Sequence, residues 1–302
     1  MRVQCETTRP ELFSRLVEIG RDACDTSTAE PETVYDRHGV LVVRVGDVVV
    51  KAHQANREYG PAFLERIRLA DALPDVLVSP MAAPLTVEGR TVTVYPFGEP
   101  VDPQQELPWE DAARLLATLH STPLPADAPS WGRPARVARL VTELGNGPAE
   151  TEVRRAFATL PAWIRGEATE PAGTASCLVH GDWHLGQMIR TGDGHWRLID
   201  IEDLGQGDPA WDLARPAALY SSGVLHPSEW ERFLGAYRDA GGPGVPVTGD
   251  PWAVLDIPAR TLAIQIAAVC VKAAGKEERP LDAPERAMVD ACGRITAAGD
   301  AA

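Results

Sequence analysis

Residues 177–200 constrain the fold more than any other stretch of the chain. Cys177-Leu-Val179 is a short apolar run that ends at His180-Gly181-Asp182; a polar loop with Gln187 follows, and two further short runs, Met188 to Arg190 and Trp196 to Ile199, flank Thr191-Gly-Asp-Gly194. Apolar runs separated by such a turn predict a strand, a loop and a hairpin that ends on Asp200. The hairpin is expected to return Asp200 to the loop, so that Asp182, Gln187 and Asp200 converge on one cleft.

The rest of the chain sorts into two compositional halves. Leu12, Leu16, Val17 and Ile19 at helical spacing, with Pro10 suited to a first turn, predict a helix over 9–23. Val40 to Val45 and Val48 to Ala52, joined at Gly46-Asp47, form a hairpin whose second strand carries Lys51. A helix opens at Pro61 and stops before Pro74, and a further strand pair, 85–88 and 91–95, turns at Gly89-Arg90. Residues 33–95 therefore read as a small antiparallel sheet with one inserted helix. After Pro96-Phe97-Gly98-Glu99-Pro100 the pattern becomes helical, at 109–120, 136–145, 150–165, 227–240, 251–275 and 283–297, with a proline-rich surface loop at 121–134. The expected class is α+β with two lobes, residues 1–97 and 98–302.

Composition excludes several partners. The net charge of −14 argues against nucleic acid and against an anionic membrane surface. Residues 1–98 hold 14 acidic against 11 basic residues, so the remainder carries −11, which suits a cationic small molecule as well as plain solubility. The most apolar stretch, Ile257 to Gly275, is interrupted by Arg260, Gln265 and Lys272 and reads as a buried helix. The N-terminal residues lack a secretory pattern, so a cytoplasmic location is expected. Five widely spaced cysteines, Cys5, Cys24, Cys177, Cys270 and Cys292, predict free thiols. Nothing in the sequence bears on oligomeric state.

Asp182 can take a proton from a hydroxyl, while Gln187 and Asp200 offer hard oxygen ligands for a metal that bridges nucleotide phosphates. His180 suits support of the loop better than proton transfer, because the adjacent carboxylate already fits that role. Asp208 and Asp212 bracket a turn and a helix start and read as helix caps. Trp183, Trp196, Trp211, Trp230 and Trp252 are expected in packing, with Trp183 also placed to border an acceptor pocket.

The stretch His180-Gly-Asp-Trp-His-Leu-Gly-Gln187, with Ile199-Asp-Ile-Glu-Asp203 and Gly207-Asp-Pro-Ala-Trp-Asp-Leu-Ala214, resembles the aminoglycoside phosphotransferase and choline kinase superfamily with its protein-kinase-like fold. The resemblance runs loosely over residues 40–302. It implies that Asp182 is the catalytic carboxylate, Asp200 the principal Mg²⁺ ligand and Gln187 a second ligand where the family usually has Asn. Gln in His184-Leu-Gly-Gln187 looks like the bacterial maltokinase and glucosamine kinase branch. The same resemblance sets Lys51 on the phosphates of ATP or GTP, with Glu65 preferred over Glu58 as its partner, and Tyr95 and Phe97 at the adenine hinge. Since Pro96 has no N–H, that hinge would use the Tyr95 carbonyl and the Phe97 amide. The family's glycine-rich loop is missing; Asp36-Arg37-His38-Gly39 is the candidate turn in its place.

The leading expectation is a kinase of a small hydroxylated acceptor, an amino sugar, a sugar or an aminoglycoside-type antibiotic. The alternatives are a non-catalytic nucleotide-binding regulator of the same fold and, more remotely, a metal-dependent hydrolase using His180 and Asp182.

Overall fold

The computed structural model describes residues 9–24, 28–37, 39–55, 59–131, 133–171 and 176–300. His38, Glu58 and Cys5 lie outside the described residues. The chain divides into two compact units, one of residues 1–106 with 186–202 and the other of residues 107–185 with 203–302. The sequence-based boundary at 97/98 falls earlier and leaves 186–202 with the helical part. The difference arises because strand pairing, which composition does not register, returns that hairpin to the first unit.

The first unit is built on a five-stranded antiparallel sheet. Its elements are α1 (Arg9–Ala23), β1 (Glu32–Arg37), β2 (Val40–Val45), β3 (Val48–Ala52), α2 (Pro61–Asp71), β4 (Leu85–Val87) and β5 (Arg90–Pro96), with strand order β1-β2-β3-β5-β4. Leu41, Val43 and Val45 alternate inward from β2 and Val48, Val50 and Ala52 from β3, where they meet Leu12, Leu16 and Val17 of α1. Because strand side chains alternate faces, burying Val50 and Ala52 sends Lys51 to the opposite face. A second, small sheet joins β6 (Glu99–Pro100) to β8 (Met188–Arg190) and β9 (Trp196–Leu198), which follow β7 (Cys177–Val179) of the other unit.

The second unit is mainly helical. It contains α3 (Trp109–Ser121), α4 (Arg133–Thr142), α5 (Pro148–Ala158), β7 paired with β10 (Gly205–Gly207), α6 (Ala210–Ser221), α7 (Pro227–Asp239), α8 (Trp252–Lys276) and α9 (Ala283–Asp300). α5 is shorter than its apolar pattern predicts, starting on Pro148 in its first turn and capped at Thr159 just before Pro161. By length and composition α8 could cross a membrane, yet Leu262, Ala263, Ile264, Ala267 and Ala268 are buried in the core that it shares with α4, α5, α6 and α9. The buried-helix expectation for this stretch holds. Cys24, Cys177, Cys270 and Cys292 are free thiols, as their spacing suggests.

Candidate active site

In the first unit, the β8–β9 hairpin is made rigid by Arg197, whose guanidinium forks onto both Asp193 carboxylate oxygens at 2.9 and 2.6 Å and whose Nε donates to the Pro74 carbonyl at 2.6 Å. The hairpin delivers Asp200 in the left-handed region, with φ of 64°. Outside glycine that conformation costs about 1 kcal/mol and is tolerated best by Asp and Asn. Lys51 Nζ donates to Asp200 Oδ1 at 3.1 Å, and the Gln187 amide donates to Oδ2 at 3.4 Å. Lys51, Gln187 and Asp200 thus come together within this unit.

Lys51 has a second carboxylate that the sequence reading did not assign. Its Nζ lies 2.6 Å from Glu202 Oε1, and both side chains are largely buried. Burial alone would lower the lysine pKa, but Asp200 and Glu202 outweigh it and hold the ammonium above its ordinary value. Burial likewise opposes ionisation of Glu202, but the hydrogen bond from His53 and the charge of Lys51 overcome it and hold its carboxyl far below the usual range. Both partners shift toward their charged forms, so the pair is ionic. Glu65, the expected partner, pairs instead with Arg68 on its own helix at 2.6 Å.

The hinge expectation needs correction at Phe97. Its amide donates to the Asp47 carbonyl at 2.7 Å, and the Arg44 guanidinium sits 3.4 Å from its ring centroid. The amide is therefore satisfied by the β2–β3 turn and does not face a base. Tyr95 stands opposite Val49 in the β3–β5 ladder, and burial pushes its phenol up to about 12. In place of a glycine-rich loop, Arg90 ties the β1–β2 turn down, donating to the Gly39 and His53 carbonyls at 2.7 and 3.1 Å.

In the second unit, β7 runs into the His180-Gly181-Asp182 loop, which hangs from one buried carboxylate. Asp212 of α6 accepts from the His180 amide at 2.6 Å, the Gly181 amide at 2.9 Å and His120 Nε2 at 3.1 Å. His120 Nδ1 in turn accepts from the Tyr237 hydroxyl at 2.8 Å, and that hydroxyl accepts from the Gly244 amide at 2.9 Å. Burial works against the Asp212 charge, but the donors from His120 and the loop prevail and keep its pKa below the ordinary value. Asp208 accepts from the Ala210 amide at 2.9 Å just ahead of α6, whose N-cap is Pro209, whereas Asp212 is a loop anchor rather than a cap.

His180 is fully buried and its Nδ1 accepts from the Asp182 amide at 3.4 Å, which fits a supporting part. The Asp182 side chain keeps a third of its surface exposed and lies 3.6 Å from Arg215 of α6. Trp183 is not at a pocket edge. It is 2% exposed and stacks on Phe233 at 5.4 Å between centroids, so it belongs to the core.

Gly181 has φ of 84°, and a Cβ there would stand 2.4 Å from the Asp203 carbonyl oxygen. Gly181→Ala is therefore expected to cost at least about 2 kcal/mol, from the left-handed backbone and the clash together. A urea melt measures it, and an unchanged midpoint would contradict the loop geometry.

The family model for phosphotransferase enzymes matches residues 28–252. The chain belongs to this phosphotransferase enzyme family. No curated protein matches the sequence. Among solved structures, the phosphotransferase is similar to a choline/ethanolamine kinase family protein from Mesorhizobium loti, at 18% identity, a TM-score of 0.58 and coverage of 97% of this chain and 95% of that one. It is similar to the choline kinase of Streptococcus pneumoniae, at 17% identity, a TM-score of 0.62 and coverage of 95% and 99%. A spectinomycin phosphotransferase solved with ADP and spectinomycin matches at 14% identity and a TM-score of 0.63, covering 95% and 98%. The shared fold is the α+β, protein-kinase-like one that the motif order implies.

Among the described residues, no group of three or more His, Cys, Asp or Glu side chains is disposed to hold a metal ion. A hydrolase centre of that type has no support in these residues. Mg²⁺ makes a smaller demand, because it takes one or two protein oxygens and completes its shell with phosphate and water. The carboxylate of Asp200 fits that demand, and the Gln187 amide fits once turned over to offer its oxygen.

Proposed function

We propose that this phosphotransferase is a small-molecule kinase that moves the γ-phosphate of ATP or GTP to a hydroxyl of an amino sugar, sugar or aminoglycoside-type acceptor. The observation that carries the reading is the meeting of Lys51, Gln187 and Asp200 within one unit, from segments far apart in sequence. In this reading Lys51 pairs with the nucleotide phosphates, and Asp200 with Gln187 would hold Mg²⁺, which would neutralise charge on the phosphate oxygens. Asp182 accepts the proton of the acceptor hydroxyl while the hydroxyl oxygen bonds to the γ-phosphorus. The bond from that phosphorus to the bridging oxygen breaks, and the electron pair leaves on the nucleoside diphosphate.

The charge of −11 beyond residue 98 supports a cationic acceptor, and the resemblance of His184-Leu-Gly-Gln187 to the maltokinase and glucosamine kinase branch supports a sugar. An amino sugar or an aminoglycoside satisfies both. The test is release of ADP or GDP over a panel of amino sugars, sugars and aminoglycosides, run on the wild type and on Lys51→Met. Turnover with at least one acceptor is expected, with the nucleotide KM of Lys51→Met raised at least about tenfold, the loss of one charge-assisted phosphate contact. No turnover with any acceptor, alongside unaltered nucleotide binding in Asp182→Ala, would make the protein a nucleotide-binding regulator.

A further inference from the structure

We propose that Glu202, clamped by His53 and Tyr59, is the carboxylate that positions Lys51 for the nucleotide, the task for which a glutamate of α2 was expected. The inference rests on the assignment of Lys51 to the nucleotide given above. Its ground is one connected set of contacts inside the first unit. Glu202 Oε1 lies 2.6 Å from Lys51 Nζ and 2.7 Å from His53 Nδ1, and the Tyr59 hydroxyl donates to Oε2 at 2.7 Å. His53 Nε2 is 2.8 Å from the hydroxyl of Thr93, and both residues are buried. The imidazole is further wedged by the Tyr59 and Phe63 rings, at 4.4 and 5.4 Å between centroids.

The proton inventory fixes the direction of these bonds. A carboxylate only accepts, so His53 Nδ1 carries the proton, and Nε2 accepts from Thr93. Burial pushes the imidazole below its ordinary pKa and so favours its neutral form. A neutral donor satisfies Glu202 without cancelling its charge, and the full charge remains for Lys51. Lysine is a point charge on a flexible stem, so a fixed carboxylate removes conformational freedom that nucleotide binding would otherwise have to remove. Two i, i+2 pairs produce the arrangement. Lys51 and His53 share one face of an extended segment, whose ladder continues through the His53 amide to the Thr91 carbonyl at 2.9 Å; Asp200 and Glu202 follow one another off the β8–β9 hairpin.

The test titrates the full chain with a fluorescent ADP analogue in the presence of Mg²⁺, with a urea melt for each variant. Glu202→Gln is expected to raise Kd about tenfold, as Lys51→Met does, and the double variant to be no weaker than either single one, because both remove one pair. His53→Leu is expected to raise Kd severalfold, and His53→Asn, which keeps a donor near the Nδ1 position, to restore it to within about threefold. Glu58→Gln and Glu65→Gln are expected to bind as the wild type does. The proposal is overturned if Glu202→Gln binds like wild type, if its effect adds in full to that of Lys51→Met, or if Glu58→Gln shows the non-additivity instead. Should Glu202→Gln fail to fold, His53→Leu against His53→Asn decides: equal Kd values overturn it. Wild-type binding by Lys51→Met is a separate result, which removes the nucleotide assignment itself.

Discussion

Asp182→Asn is expected to lower kcat by about 10³-fold while leaving nucleotide affinity within about threefold, the pattern of a lost general base. The amide has nearly the shape of the carboxylate, so the loop, whose His180 and Gly181 amides are held by Asp212, should keep its form. The contact of Asp182 with Arg215 at 3.6 Å is partly exposed, and pairs of that kind contribute at most about 1 kcal/mol. Stability should therefore change little, and the loss should appear in the chemical step. Steady-state kinetics with an acceptor from the panel, with a titration by the fluorescent ADP analogue, measures both quantities. A kcat within tenfold of wild type would remove Asp182 from the proton transfer.

Much of the first unit was legible because strand patterning is local. The alternation of Val48, Val50 and Ala52 fixes which face of β3 carries Lys51, and the turn residues at Gly46 and Gly194 fix two hairpins. The elements of the site could be read for the same reason: Gln187 and Asp200 flank a single hairpin. What escaped were the distant contacts that no motif marks. Glu202 meets His53 across 149 positions, and no spacing rule reaches that far, although a carboxylate two residues past Asp200 was the available signal. Trp183 packs as expected, but a pocket border stayed open for it because a residue in a loop has no periodicity to tell inward from outward. Its neighbour Asp182 is partly exposed, while the indole turns onto Phe233. Phe97 failed for a related reason, since its amide is claimed by the backbone of another turn, at Asp47. Asp212 looked like a helix cap because it stands at the start of α6. Its partners, however, are His120 and the loop after β7.

Asp212→Asn is expected to destabilise the protein by about 3–5 kcal/mol, the usual penalty for breaking a buried charged network by changing one partner. Against a typical total of about 5–15 kcal/mol, that endangers folding itself. The reason lies in the count of donors. Three N–H groups, from His120, His180 and Gly181, converge on the two carboxylate oxygens. Asn offers one oxygen and turns an NH₂ toward donors that cannot accept, so at least one buried amide loses its partner. The pH dependence gives an independent reading. The native pKa of Asp212 lies below its ordinary value, near 3.9 when unfolded, so its contribution is complete above about pH 4 and disappears as pH falls through the native pKa. Urea melts of wild type and Asp212→Asn should therefore differ most near neutrality and converge in acid. In whatever fraction folds, kcat should fall further than nucleotide affinity, because the anchor holds the His180 and Gly181 amides of the loop that carries Asp182. A midpoint shift equivalent to less than about 1 kcal/mol at pH 7, no more than one ordinary hydrogen bond, would mean that the loop is held by something other than Asp212.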